Sequence, residues 1–535
     1  MNRLLACCLV ATAVPAMATV QPPLSKMTVL HQFAQSDGYS PNPLVEDSDG
    51  VFFGVNTNGG ANNGGTVYRV TSTGDFKLLH AFDPAGAGND GYSPHGTLVR
   101  GADGFLYGTT TSGGTIGGYP GSQGTIYRIN DAGQLTIVHS FTGPEGSQPI
   151  GGLTMAADGH LYGTASYGGL GSGTIFRLNA DNSLTTIYSF PADGSQGAGV
   201  NAPLVQDANG SFYGSNNSSG GNTTIPDAGG GTIFQLTPDG TLTTLHYFPF
   251  YSGVAAPNIG PDGVLYSTQH YARDSVFHLT NTGRYLTLYD FPCYCGTVDD
   301  GAEPSGPLTM ARDGYIYGTT SGGGAHGVGT IYKMTLDGEV TTVYSFDTDG
   351  PNSPQTGVIE GPDGRFYGTT QNTGSVQNNP QYGAVFKITF VPEAPTGPTV
   401  TSGDGHVQLS WTASRTTISY QVFVGTAAGG EATTPVVTGV TDTKVDITGL
   451  TNGTEYFFTV SAVNEAGAGA PSAEVNAIPT GPSSPPTTTP PAGSSPSPAS
   501  TGSGGGGSID PAVICLLLAL ILPTVRRRRN TEGCR

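Results

Sequence analysis

The chain has 535 residues, 84 of them glycine, with only 11% charged residues and a formal net charge of −19. Its length exceeds one ordinary domain and can bury more than one sizeable core. The scarcity of charged helical patterns favours short strands and turns over helices, and the acidic balance excludes nucleic acid as a partner, since binding it needs a basic face to neutralise phosphates.

At the N-terminus, Arg3, the apolar run from Leu4 to Val14 and the small-residue site Ala16-Met17-Ala18 predict a secretory signal peptide over residues 1–18. The protein is therefore expected outside the cytoplasm. A repeat then dominates the chain. The phrase "RDGYIYGTT" from Arg312 returns as "ADGFLYGTT" from Ala102, "ADGHLYGTA" from Ala157 and "PDGRFYGTT" from Pro362. Aligned on the turn glycine, the copies fall at Gly50, Gly104, Gly159, Gly210, Gly263, Gly314 and Gly364, a period of 50 to 55 residues. A fixed period of that size signals a repeat architecture.

Each unit holds four strand-like pieces. In the sixth they are "GPLTMA" from Gly306, "YIYGTT" from Tyr315, "GTIYKMT" from Gly329 and "VTTVYSF" from Val340, rich in β-branched and aromatic residues. Asp313-Gly314 and Asp337-Gly338 close the first and third connections as tight hairpins. Four antiparallel strands repeated radially describe a propeller blade. The array begins with an orphan fourth strand, "MTVLHQF" from Met27, and ends at "GAVFKITF" from Gly383 without one. The expected fold is therefore all-β, a seven-bladed β-propeller over residues 26–391 closed by the N-terminal strand, with no open sheet edge.

The order "LYGTT…GG…GTIFRL…DG…LTTIYSF" resembles the GloVer tandem repeats of secreted bacterial proteins, over roughly residues 26 to 391. The fifth unit, "DGVLYSTQHYARDSVFHL", departs from that pattern by lacking the glycine pair. The resemblance implies a surface-exposed repeat protein and brings no catalytic residues.

Because strands alternate in direction, the short Asp-Gly hairpins share one face, and the loops between strands two and three and between blades share the other. Long irregular loops on a rigid scaffold are where binding usually sits. The loops after each closing phenylalanine repeatedly hold an acid: Asp37, Asp90, Glu145, Asp193, Asp300 and Asp349. They read either as oxygen ligands for Ca²⁺ or a trap for cationic ligands, or as turn residues that stabilise their own backbone. Apart from Ca²⁺ the sequence points to no cofactor, and no resident metal site is expected. Cys293 and Cys295 read either as a tight disulfide or as free thiols. His31, His80, His139 and His246 fall at equivalent fourth-strand places and read as structural. Neither G-x-S-x-G nor H-E-x-x-H occurs.

Over residues 392–479, "PEAPTGPTVTSGDGHVQLSW", "YQVF" and "GLTNGTEYFFTVSAVNEAG" resemble a fibronectin type III domain. Trp411, Tyr420, Leu450 and Tyr456 take the usual core places, Tyr456 as tyrosine corner. A Pro/Ser/Thr/Gly linker follows over 480–508. The last segment, 509–535, contains an apolar run from Pro511 to Val525 and then Arg526, Arg527, Arg528 and Arg529. Preceded by Gly504, Gly505, Gly506 and Gly507, this order resembles the GlyGly-CTERM sorting signal of Gram-negative bacteria. That resemblance implies cleavage by a rhombosortase-type protease and delivery to the cell surface; a plain C-terminal membrane anchor is the alternative. Two functions remain open. One is a non-enzymatic surface protein whose propeller loop face binds an extracellular glycan or protein. The other is a secreted glycan-acting enzyme using two loop carboxylates as acid and base.

Overall fold

A computed structural model describes residues 25–47, 50–84, 90–114, 123–218, 228–249, 252–271, 274–292, 300–374 and 382–481. The expected signal peptide, Cys293 and Cys295, the linker beyond residue 481 and the sorting segment lie outside them. The described residues form nine antiparallel sheets and no helix.

Seven of the sheets follow one plan, with strands added in chain order from an inner to an outer strand. The second is typical: Tyr92–Arg100, Leu106–Ser112, Thr125–Ile129 and Leu135–Ser140. The seventh takes Val358–Glu360, Phe366–Thr370 and Ala384–Phe390 from the end of the array, and its outer strand is Ser25–Gln32 from the beginning. Ser25 pairs with Phe390 and Gln32 with Ala384. That ladder slips by one residue between Val29 and His31, as the outer ladder of the second sheet does between Ile137 and His139. The other five sheets carry the same irregularity against their third strands. A bulge of this kind strengthens local twist, so the N-terminal strand has the shape of the six native outer strands.

The phenylalanine at or just after the end of each outer strand is buried and reaches the next sheet. Phe82 meets Tyr127, Phe141 meets Phe176, Phe190 meets Phe234, Phe248 meets Phe277, Phe291 meets Tyr332 and Phe346 meets Phe386. Phe33, from the N-terminal strand, meets Tyr68 of the first sheet. All seven pairs have centroids 5.1 to 5.5 Å apart at steep angles, the tilted geometry that ring quadrupoles favour.

The repeated glycines make these contacts fit. A Cβ on Gly108 would overlap the Tyr127 ring, and Gly54, Gly163, Gly214, Gly318 and Gly368 face Tyr68, Phe176, Phe234, Tyr332 and Phe386 in the same way. A second glycine, at the start of the third strand, abuts a proline of the following sheet: Gly65 with Pro94, Gly124 with Pro149 and Gly329 with Pro354. Gly383 stands against Pro41, joining the last unit to the first.

Two further sheets, one built from Thr396–Gly403, His406–Thr412 and Lys444–Thr448, the other around Ser419–Gly425 and Tyr456–Asn464, enclose a separate core. Trp411 packs edge-on against Tyr420 at 5.1 Å, and the Tyr456 hydroxyl accepts the Thr451 amide at 3.1 Å. This unit is clamped to the seventh sheet. Arg365, in the hairpin Asp363-Gly364-Arg365, forks onto Glu465 at 2.7 and 2.9 Å, and Thr389 Oγ1 donates to the same carboxylate. Asn464 Nδ2 donates to Phe390 O at 2.8 Å, and Arg415 pairs with Glu360.

Candidate functional site

At the hairpin end, the aspartate of the turn is committed to its own sheet. Asp103 accepts the Phe105 amide and the Tyr107 hydroxyl, the latter at 2.8 Å. Asp158 and Tyr162, Asp262 and Tyr266, Asp313 and Tyr317, and Asp363 and Tyr367 repeat the hydroxyl bond, and Asp207 serves Tyr213 in the fourth sheet. The carboxylate and burial together push these phenols above their ordinary range, Tyr213 up to about 12.

At the opposite end the acids singled out from the sequence do similar work with other rings. His31 Nε2 lies 3.1 Å from Asp37, His80 Nε2 2.8 Å from Asp90 and His139 Nε2 3.3 Å from Glu145. In the sixth unit's entry loop Asp300 accepts the Tyr289 hydroxyl at 2.6 Å. In the third sheet the equivalent ring, Tyr188, bonds Gln196, and Asp193 accepts the Ser195 amide at 2.9 Å. Asp349 is exposed in the turn after Phe346. Burial pushes the Glu145 carboxyl up, but hydrogen bonds from Thr142 and His139 outweigh it and hold the group below its ordinary range. Burial lowers His31 against the pull of Asp37. Asp37, Asp90, Glu145 and Asp300 are thus bound to the outer strand that precedes them, and Asp193 to its own turn. Among the described residues no three His, Cys, Asp or Glu side chains group as a metal site.

A large concavity lies elsewhere, at the convergence of the inner strands. It is a cavity of about 900 Å³, and every one of the seven sheets contributes wall: Asn42, His95, Gly151, Asn201, Ala255, Gly306 and Gln355 are one representative each. Asn217 and His270, at the exits of second strands, place its mouth on the long-loop side. Second-strand hydroxyls hold the walls together by bonding the inner strand of the following sheet: Thr109 to Pro149 O at 2.8 Å, Thr164 to Ala202 O at 3.2 Å and Ser215 to Val254 O at 3.4 Å. Asn42 Oδ1 accepts the Gly96 amide, and His95 Nδ1 lies 3.2 Å from Ile150 O. Burial lowers both His95 and His270 below the ordinary imidazole value, so both are neutral at pH 7. A Cβ at Gly253 would overlap the His270 ring, so glycine makes its room. Among the described residues lining the cavity none is Asp, Glu, Lys or Arg. Glu303, whose carboxylate accepts the Ser321 hydroxyl at 3.0 Å, pulls His270 upward against the effect of burial.

Residues 16–226 and 223–438 match the Gloeobacter/Verrucomicrobia repeat family. The chain belongs to that family. A stretch of 76 residues is 36% identical to an amylopullulanase of Thermoanaerobacterium thermosulfurigenes, 14% of this chain and 4% of that protein. An amylopullulanase of Thermoanaerobacterium saccharolyticum matches equally well over 6% of its length. The chain thus spans only a small part of these curated relatives. Among solved structures it is similar to a streptogramin B lyase at 18% identity and TM-score 0.47, over 68% of this chain and 98% of that one. A virginiamycin B lyase from Staphylococcus aureus gives 15% identity, the same TM-score, and 69% and 100% coverage. An Fn3-like protein from Clostridium thermocellum is 30% identical over 18% of this chain and 98% of its own, at TM-score 0.15.

Within the Gloeobacter/Verrucomicrobia repeat, the loop-face acids were visible as a recurring letter but not as ring partners, because the intervening distance ranges from six residues to eleven. The cavity wall went unread for a different reason. Its residues stand singly in each repeat, about fifty positions apart. A usable signal does exist: the position eight before the turn glycine is Asn42, Gly96, Gly151, Ala202, Ala255 and Gly306 in the first six units, small or amide-bearing every time, and all six line the cavity.

Proposed function

We propose that this member of the Gloeobacter/Verrucomicrobia repeat family is an exported, non-enzymatic surface protein that receives an extracellular ligand in the loop-side cavity of a closed seven-bladed β-propeller. The circular order of phenylalanine contacts, with Phe33 and Gly383 joining the two ends of the array, supports closure. In this reading residues 1–18 direct export, 26–391 form the propeller, 392–479 are a fibronectin type III spacer, 480–508 a linker and 509–535 the sorting or anchoring segment. A rhombosortase-type protease would release or relocate the body at the cell surface.

The observation that carries the reading is the cavity itself: about 900 Å³, walled by all seven sheets and mouthed on the long-loop side. Pockets of this size and mixed lining are the usual seats of ligands. Hydrolysis of glycans by paired carboxylates needs two acids flanking a bond, whereas Asp37, Asp90, Glu145 and Asp300 are each held by the preceding outer strand.

The test is a binding screen of the purified chain against extracellular glycans and proteins, with Ca²⁺ or with a chelator, repeated for Ala256→Trp, which fills the cavity. Binding that Ala256→Trp removes in a folded protein, without turnover of the bound molecule, is the expected result. Binding that the filled variant retains in full, or release of a cleaved product, would overturn the reading.

A further inference from the structure

We infer, on the reading that the cavity is the binding site, that its ligand is a short uncharged peptide recognised through its amide groups. The polar part of the wall consists of the carboxamides Asn42, Asn201, Asn217 and Gln355, with Thr97 and the two neutral imidazoles of His95 and His270. A charged ligand entering this wall gives up its hydration and meets no opposite charge in return, which is costly. An uncharged ligand pays only for its dipoles, and a carboxamide offers both a donor and an acceptor to repay an amide.

Asn201 sharpens the argument. Its Oδ1 is buried at the wall and has no hydrogen-bond partner in the protein. A buried acceptor of this kind costs free energy until a donor arrives, so a turn of the Asn201 side chain toward the cavity would let a peptide N–H satisfy it. The apolar remainder of the wall, including Pro43, Ile150, Val254 and Pro307, suits aliphatic side chains. Sugars are the weaker fit. Their apolar faces are best met by aromatic platforms, whereas no Phe, Tyr or Trp is among the described residues lining the cavity. The volume lies at the upper end of small-molecule sites, enough for several peptide units.

The experiment is isothermal titration of the full chain with four probes: an N-acetylated, C-amidated tetrapeptide of alanine and leucine, the same peptide with one aspartate, the same with one lysine, and maltotetraose. The neutral peptide should bind, each charged peptide at least tenfold more weakly, and maltotetraose not measurably. Asn201→Leu should weaken the neutral peptide about tenfold with an unchanged melting temperature, and Ala256→Trp should abolish its binding. Cavity-dependent binding of a charged peptide or of the sugar at equal strength, or no binding of the neutral peptide to the folded chain, overturns the ligand class but leaves the cavity reading intact. Peptide binding that neither variant alters overturns the cavity as the site.

Discussion

The hairpin end and the loop end of the seven sheets use the same pairing of a carboxylate with a ring, yet they differ in what they leave over. At the hairpin end Asp103, Asp158 or Asp313 caps a two-residue turn and reaches the tyrosine four positions on, so turn and second strand form a self-contained unit. At the loop end Asp37, Asp90 and Glu145 pin an outer-strand histidine, which fixes the rim and leaves the inner strands free to wall a cavity. The difference teaches that a repeated acid marks the scaffold at both ends. The chemistry available to a ligand lies in the unrepeated amides and imidazoles between them.

The largest expected effect comes from removing what both ends share, the closing strand. Deleting residues 25–33 strips the ladder from Ala384–Phe390 and leaves Tyr68 without Phe33. Loss of the phenylalanine alone is worth about 3–5 kcal/mol, so the truncated chain should lose cooperative unfolding in calorimetry. An unchanged melting temperature would show that the ring does not depend on this strand.

Next in size is the hairpin set. Asp103→Ala, Asp158→Ala and Asp313→Ala together remove three turn caps and orphan three tyrosine hydroxyls, at about 1–3 kcal/mol each. Charge reversal of Asp90, Asp193 and Asp349 should cost less, because Asp193 and Asp349 are exposed, while Asp90 holds the His80 ring. Urea midpoints of the two triple variants compare the two ends directly; equal losses would erase the distinction drawn between them.

A smaller effect is expected at the clamp between the seventh sheet and the sandwich. Hydrogen bonds from Arg365, with burial opposing, hold Glu465 down at about 2. A carboxyl lowered in the folded state lends stability that is complete above its ordinary value, near 4.5, and is lost as the pH falls toward 2. The contact between the two units should therefore weaken below pH 4.5, and Glu465→Gln should flatten that dependence when the two transitions are followed by scanning calorimetry.

The smallest effect has the opposite sign. The hydroxyls of Tyr68, Tyr127 and Tyr332 are buried without partners, and phenylalanine occupies the same place at 176, 234, 277 and 386. Tyr127→Phe should stabilise the protein by about 1 kcal/mol in urea titration. A loss instead would reveal that the hydroxyl is satisfied in solution.

The period, the four strands of each unit, the Asp-Gly hairpins and the odd strand at Met27 were legible because each is written locally, in turn residues and alternation. The resemblance to tandem repeats was legible in the same letters. The glycine of "YGTT" was not, since what it avoids is a ring on the next strand. Nor were the residues with positive φ near the start of the units, Ser40, Ser93, Gln148, Glu303 and Ser353, each followed by a proline, because a residue before proline is ordinarily held to extended backbone. In four of the five the proline that follows, Pro41, Pro94, Pro149 or Pro354, lies against a glycine of the preceding sheet. Asn201, His95 and His270 escaped because a wall assembled from positions about fifty or more residues apart has no motif.

The pairing of Ser25–Gln32 with Ala384–Phe390 also bears on mechanics. A protein tethered through its C-terminus feels tension first in the sandwich and then, across only five residues, at Phe390. That residue ends a strand bonded on both sides, to the N-terminal strand and to Phe366–Thr370. Pulling therefore shears two ladders at once rather than peeling one, and Arg365 with Asn464 shares the load before it arrives. In a chain held at its C-terminus, the load would fall where the two ends of the repeat array meet.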